Sequence, residues 1–213
     1  MTNIINTIIN ADCVKAMRTL PAASVNFILT DPPYGVRFKD RSGRTIMNDN
    51  NFSWLKPAFA EMYRVLARDS FCVSFYGWTS ADRFVTAYRD AGFRIVGHLT
   101  FPKAYASSSG FLRNQHENAY LLAKGNPPKP ERPISDVLAW KYSENKHHPS
   151  EKSVPTLLPL VEAFSLPGGL VLDPFAGSAS TLIAAKTLGR NYLGIELDPK
   201  YHAIASRRLG AVA

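Results

Sequence analysis

The chain has 213 residues, enough for one α/β domain and too few for two ordinary ones. Hydrophobic residues make up 46% and charged residues 20%, which excludes a disordered chain, a coiled coil and a membrane channel. Lys and Arg number 25 against 17 Asp and Glu, a net charge of +8 that suits a polyanion such as nucleic acid without specifying one.

The hydrophobic pattern alternates strand and helix along the chain. Ile4 to Ile9 reads as a strand and Cys13 to Leu20 as a short helix. Val25 to Thr30 (VNFILT) is a buried strand that stops at Asp31, Pro32, Pro33, Tyr34 and Gly35, a turn stiffened by proline. An amphipathic helix follows at Trp54 to Leu66, then a strand at Ser70 to Tyr76 and a helix from Ser80 to Ala91 closed by Gly92. Strands are expected at Arg94 to Phe101 and Asn118 to Ala123. Gly125 to Pro155 is rich in proline and polar residues and reads as an extended surface excursion. The pattern then resumes with a helix at 155–164, a strand at 170–172, a helix at 180–188, a strand at 191–195 and a helix at 199–209. Such alternation predicts a parallel or mixed sheet covered by helices, in one domain spanning 1–213.

Cys13 and Cys72 form no CxxC and have no neighbouring histidine pair, so neither a zinc site nor a disulfide framework is expected. The opening residues MTNIINTIINADC lack the basic and apolar regions of a signal peptide, and no run of about 18 apolar residues occurs. A cytoplasmic protein with no membrane partner and no required metal is the expectation.

Two loops carry chemistry. Leu170 to Leu172 leads into Asp173, Pro174, Phe175, Ala176, Gly177 and Ser178 and then into a helix, so small residues let backbone N–H groups approach a ligand. The loop lacks GxGxxG, which weakens a dinucleotide reading, and taken alone it could be a tight turn with no ligand. Glu196 ends the next strand 23 residues after Asp173, where nucleotide-binding α/β folds place an acid for ribose hydroxyls. Asp31 to Tyr34, taken alone, could be a proline turn with a capping aspartate.

Together these segments resemble the amino-group DNA methyltransferases that use S-adenosyl-L-methionine. Asp31-Pro32-Pro33-Tyr34 is similar to their catalytic signature and Asp173 to Ser178 to their cofactor loop. The catalytic motif precedes the cofactor loop, the order of the β-class. Ala11-Asp12, His148-Pro149-Ser150-Glu151-Lys152 and Glu196-Leu197-Asp198 also fall where the family has motifs. Three positions depart from it: Ser153 stands in place of a usual proline, Ala179 of a frequent glycine and Ser180 of a frequent threonine.

The resemblance implies a Rossmann-like methyltransferase fold, a mostly parallel twisted sheet with helices on both faces and a short recognition insertion at about 103–150. It implies that Asp12 and Cys13 meet the cofactor's adenine end, Glu196 and Leu197 its ribose, and Asp173, Pro174, Phe175, Ala176, Gly177 and Ser178 with Lys152 and Ser153 its methionine end. Asp31 borders the cofactor as well as the base. Asp12 has a competing use as the N-cap of the first helix.

Methylating an exocyclic amine requires its lone pair, delocalised into the ring, to be turned toward the methyl donor. Asp31 and the Pro32 carbonyl offer two acceptors for the amine hydrogens, Pro32 and Pro33 fix the loop, and Tyr34 offers a flat face to a base flipped out of the duplex. No cysteine nucleophile is implied. Aspartate at the first motif position leans toward adenine N6, with cytosine N4 and RNA adenine as alternatives and a non-catalytic nucleic-acid-binding protein as the reading of another class.

Double-stranded DNA is the expected partner. Arg37, Lys39, Arg41 and Arg44, offset only by Asp40, follow the catalytic motif. Arg113, Lys141, Tyr142 and His147 sit in the basic, aromatic stretch beyond it. The small recognition region suggests a homodimer. No endonuclease motif is visible, so whether a separate restriction enzyme accompanies the chain stays open, as does the sequence it recognises.

Overall fold

The computed structural model describes residues 5–40, 43–106, 108–109 and 111–212. Its elements, in chain order, are β1 (Thr7–Asn10), α1 (Cys13–Arg18), β2 (Val25–Thr30), α2 (Leu55–Val65), β3 (Leu66–Tyr76), α3 (Ala81–Ala91) and β4 (Arg94–Pro102), then β5 (Ser108–Ser109), β6 (Arg113–Asn114) and β7 (His116–Lys124). The chain closes with α4 (Val154–Phe164), β8 (Leu170–Asp173), α5 (Ser180–Thr187), β9 (Asn191–Glu196) and α6 (Pro199–Gly210). The segment 125–153 carries no helix or named strand, as its prolines require.

Seven strands form one sheet in the order β1-β9-β8-β2-β3-β7-β4. From β1 to β3 the pairings are parallel, and β7 is antiparallel to both β3 and β4. The chain leaves β2 for β3 on one side and β8 for β9 on the other. The boundary between β2 and β8 is therefore the topological switch point, outside whose carboxyl end open α/β sheets bind ligands.

Alternating strand residues fill two cores. In β2, Ile28 packs with Met17, Phe59 and Tyr88, from α1, α2 and α3, on one face. Phe27 and Leu29 pack with Leu160, Leu182 and Leu209, from α4, α5 and α6, on the other. This three-layer arrangement is the doubly covered, mostly parallel sheet that the sequence predicts.

Two elements differ from the sequence expectation. β3 starts at Leu66, directly at the end of α2, because Leu66 pairs with Val25; the register then shifts across Ala67 to Ser70, with Asp69 at a left-handed φ of 57°, before the ladder with β2 resumes at Phe27 and Phe71. A two-stranded hairpin, β5 with β6, projects between β4 and β7, where too few residues alternate to signal strands. No described helix is long and apolar enough to cross a membrane.

Candidate active site

The carboxyl ends of β1, β2, β3, β8 and β9 meet around one cavity of about 970 Å³, with a chamber of about 50 Å³ beside it. A pocket of this size suits a ligand of cofactor dimensions.

Asp31 follows β2 directly, and both of its carboxylate oxygens are engaged. The Tyr34 hydroxyl donates to Oδ1 at 2.6 Å and the Lys152 ammonium to Oδ2 at 2.7 Å. Burial and then the Asp31 charge push the Tyr34 phenol well above its ordinary range, so it stays a donor. Burial opposes the charge on Lys152, but the carboxylates of Asp31 and Glu117 more than offset it and raise its pKa above that of an ordinary lysine.

The loop after Tyr34 is anchored from farther along the chain. Asp49, 2% exposed, accepts the N–H of Gly35 at 2.7 Å and that of Phe38 at 2.6 Å. Gly35 has φ of +74°, and a Cβ there would lie 2.2 Å from the Phe52 ring, so both conformation and space demand glycine. Gly77, just past β3, lies against Tyr34: a Cβ on it would meet the Tyr34 Cβ at 2.7 Å.

Across the switch point, Asp173 ends β8, is 3% exposed, and accepts from the Thr30 hydroxyl at 3.0 Å and the Phe175 N–H at 3.1 Å. Burial, against these hydrogen bonds, lifts its carboxyl to about 7. Glu196 ends β9, beside β8, and accepts from the N–H of Gly177 and that of Asp198, both at 2.7 Å. Burial lifts it also to about 7. Ala179 holds a left-handed φ of 71° as α5 begins, which accounts for glycine being favoured at that turn. The hydroxyl of Ser180, lining the small chamber, is buried without a hydrogen-bond partner among the described residues.

Of the residues expected at a cofactor, Asp12, Cys13, Asp31, Lys152, Pro174, Phe175, Gly177, Glu196 and Leu197 line the large cavity, and Asp173, Ala176 and Ser178 line the chamber. Asp12 lines the cavity, and its Oδ1 accepts the Lys15 N–H as the N-cap of α1, so the N-cap use does not take it away from the cavity wall. Ser153 is the exception: it faces neither cavity, and its hydroxyl shares a 2.9 Å hydrogen bond with that of Thr156 in the first turn of α4. Lys152, expected at the methionine end, sits on the Asp31 carboxylate. Burial pushes the Cys13 thiol up to about 12 and that of Cys72 higher still, so neither is poised as a nucleophile.

The candidate DNA contacts divide. Lys39 and Tyr142 are exposed at the cavity wall, whereas Arg37, Arg113, Lys141 and His147 stand outside it. Arg44 lines the cavity but is engaged within the chain, bound to Asp40 at 2.6 Å and to the Asn145 carbonyl at 3.3 Å. It ties the loop after Asp31 to Tyr34 to the 143–151 segment. Arg41 lies outside the described residues.

The model of the N6/N4 DNA methylase family, described as "DNA methylase", matches residues 25–207. The chain belongs to that family. It is 55% identical to the "Putative methylase YubD" of Escherichia coli (strain K12) over 96% of this chain and 90% of the other. It is 28% identical to the "DNA adenine methyltransferase YhdJ" of the same organism, over 97% and 83%. Among solved structures, a complex of M1.HpyAVI with SAM superposes with a TM-score of 0.75 at 23% identity, covering 95% of this chain and 98% of that one.

Within this family member, several residues beyond those assigned to the site from the sequence shape it, His148 among them although it stands in the His148 to Lys152 motif. Asp49 and Gly77 act on the catalytic loop as described. Arg208 of α6 donates to the Ser178 carbonyl at 2.7 Å and pairs with Glu151 at 3.0 Å, fastening the Asp173 loop to the segment that carries Lys152. His148 packs on Tyr201 with ring centroids 4.3 Å apart, and burial, then the charges of Lys152 and Arg44, lower it to about 4, so it is a neutral wall of the cavity. Only side-chain type hints at these roles in the sequence. The partners are 11 to 57 positions away, with Phe38 and Asp49 at the near end and Glu151 and Arg208 at the far end.

Proposed function

We propose that the protein binds S-adenosyl-L-methionine and transfers its methyl group to the N6 amine of adenine in double-stranded DNA. The observation that carries this reading is the position of Asp31: its carboxylate, held by Tyr34 and Lys152, faces the Asp173 loop across the β2–β8 switch point.

The residues present fit that cofactor. Glu196 ends β9 where ribose hydroxyls are bound in such folds, and Asp12 and Cys13 extend the wall beyond it. Asp173 offers a buried carboxylate to a cationic group, and the unpartnered Ser180 hydroxyl awaits a polar one. Phe175, in edge contact with Trp54 at 5.0 Å, forms an apolar side. When bound, S-adenosylmethionine supplies an electrophilic methyl group on a sulfonium.

The chain's own contribution is orientation and charge. Each Asp31 oxygen has a second lone pair beyond the one occupied by Tyr34 or Lys152, so it can accept an amine hydrogen without surrendering its anchor. The Pro32 carbonyl takes the other hydrogen, and the nitrogen lone pair then points out of the base plane toward the cofactor side. As the nitrogen gains positive charge, the fixed carboxylate stabilises it and is the nearest acceptor for the proton it sheds. Tyr34, Trp140 and Tyr105 line the cavity and provide stacking faces for a base that has left the helix. The aspartate of the motif and the adenine-specific relative support adenine over cytosine N4.

The deciding experiment supplies methyl-labelled cofactor with duplex DNA, single-stranded DNA and RNA, then hydrolyses each and separates the nucleosides. Label in N6-methyldeoxyadenosine from duplex DNA is expected. Label in N4-methyldeoxycytidine would replace the base assignment, and label in RNA alone would overturn the DNA substrate. Asp31→Ala is expected to abolish transfer while calorimetry still detects cofactor binding.

A further inference from the structure

Beside the catalytic loop, a row of alternating charges runs from Asp31 and Lys152 to Lys103 and Glu117, two cavity-lining residues that the reaction as described does not use. Lys103 follows β4, Glu117 lies near the start of β7, Lys152 precedes α4, and Asp31 follows β2. β4 and β7 pair antiparallel, which brings Lys103 and Glu117 to the same end of the sheet although 14 residues separate them. The Lys103 ammonium is bound to the Glu117 carboxylate, and its side chain is only 4% exposed. Lys152, 7% exposed, is bound to Asp31. The two ammonium groups flank a single indole ring, at 4.9 Å and 5.9 Å from the centroid of Trp140.

Two buried ammonium groups beside one ring repel each other unless a carboxylate stands with them. Glu117 has that role: burial alone would raise its carboxyl, yet Lys152 and Lys103 together hold it below the ordinary range. The formal charges of the four groups cancel, so each is satisfied only while the others stay in place.

We propose that Lys103 and Glu117 are positioning residues for methyl transfer: Lys103 occupies the Glu117 carboxylate so that the Lys152 ammonium remains seated on Asp31 rather than being drawn toward Glu117. The proposal rests on the methyltransferase reading of the site. Its consequence is specific. Removing Lys103 alone leaves Glu117 with Lys152 as its remaining strong cationic partner, and Asp31 loses its anchor. Removing the Glu117 charge as well restores Lys152 to Asp31.

A double-mutant cycle on the full chain tests this. Lys103→Met is expected to lower kcat about tenfold with the Kd for S-adenosylmethionine changed less than about twofold, since the row touches the acceptor carboxylate and not the cofactor loop. Lys103→Met combined with Glu117→Gln is expected to recover to within about threefold of the unaltered protein, and Lys103→Arg, which keeps the cation, to stay near it. Losses that simply multiply in the double variant, or a Lys103→Met kcat equal to that of the unaltered protein, would overturn the proposal. A readout without turnover separates it from the functional reading: the slowly exchanging ammonium signal of Lys152 in nitrogen-15 NMR should shift in Lys103→Met and return in the double variant. An unaltered protein that transfers no methyl group would count against the functional reading, while an unmoved Lys152 signal would count against the row.

Discussion

Asp173→Asn isolates the cost of keeping a carboxylate at the end of β8. Burial lifts Asp173 from 3.8 to about 7, a rise of about three pKa units, equivalent to about 4 kcal/mol of folding free energy between the two protonation states. The folded chain binds this proton more tightly than the unfolded chain. Its stabilising contribution is therefore complete below 3.8, declines as pH rises and levels off above about 7. Glu196, lifted from 4.5 to about 7, adds a loss of the same sign in the same window. About two of the three Asp173 units lie above pH 5, so moving from pH 5 to pH 8 should cost the unaltered protein about 3 kcal/mol through this residue. Asparagine is neutral throughout, and its amide oxygen, standing in place of Oδ1, can keep both contacts by accepting from the Thr30 hydroxyl and the Phe175 N–H. Urea unfolding at pH 5 and pH 8 should show a markedly smaller loss for Asp173→Asn than for the unaltered chain. Equal losses in the two proteins would refute the reasoning. The same charge matters for the cofactor, whose cationic end favours the ionised carboxylate. Affinity for S-adenosylmethionine should rise about tenfold from pH 6 to pH 8 in the unaltered protein and much less in the variant.

Two further outcomes follow from the geometry of the catalytic loop and its rim. Gly77 has φ of −83°, which alanine adopts freely, so Gly77→Ala acts only through the added methyl group, 2.7 Å from the Tyr34 Cβ. The displaced Tyr34 should lower kcat by about 10² with cofactor affinity unchanged, and a normal kcat in steady-state methyl transfer would refute the contact. Arg37 and Lys39 are exposed beside the site, and replacing both with glutamine should reduce the slope of log K for DNA against log salt by about one per residue. An unchanged slope would mean that these cations merely face solvent.

Much of the fold is legible because period and punctuation agree. VNFILT followed by two prolines can only be a short buried strand that stops at once, and Gly92, with φ of 102°, closes α3 where its hydrophobic repeat ends. β3 is less legible because Leu66 to Asp69 reads locally as a polar helix end, and only Leu66 of it pairs with β2 before the register shifts. The site divides in the same way. Asp31 and Asp173 stand on loops that end strands, where residue type and turn chemistry are informative. Asp49, Lys103, Glu117 and Arg208 act by touching those loops from other elements, and no periodicity relates them to their partners. Ser153 shows the converse: adjacency to Lys152 in sequence does not carry it into the cavity, because it begins α4 and turns toward Thr156.

The net charge of +8 also takes on a different meaning once the cations are placed. Several of them terminate helices belonging to distant parts of the chain. Arg64 donates to the Met17 and Leu20 carbonyls at the end of α1, and Lys124 to those of Tyr63 and Leu66 at the end of α2. Arg190 reaches the Ser165 carbonyl past α4, and Lys186 the Leu209 carbonyl of α6. Unpaired carbonyls at a helix C-terminus carry partial negative charge, so these residues satisfy acceptors and oppose the dipole together. With Lys103, Lys152, Arg44 and Arg208 engaged at the site itself, a substantial part of the basic excess is internal. The cations that remain exposed include Arg37 and Lys39 at the rim, together with others such as Arg18, Arg89, Arg132 and Arg207 elsewhere on the surface. Net charge alone therefore does not orient a duplex, and it is the salt slope of the Arg37 and Lys39 variant that tells whether the cations beside Asp31 do.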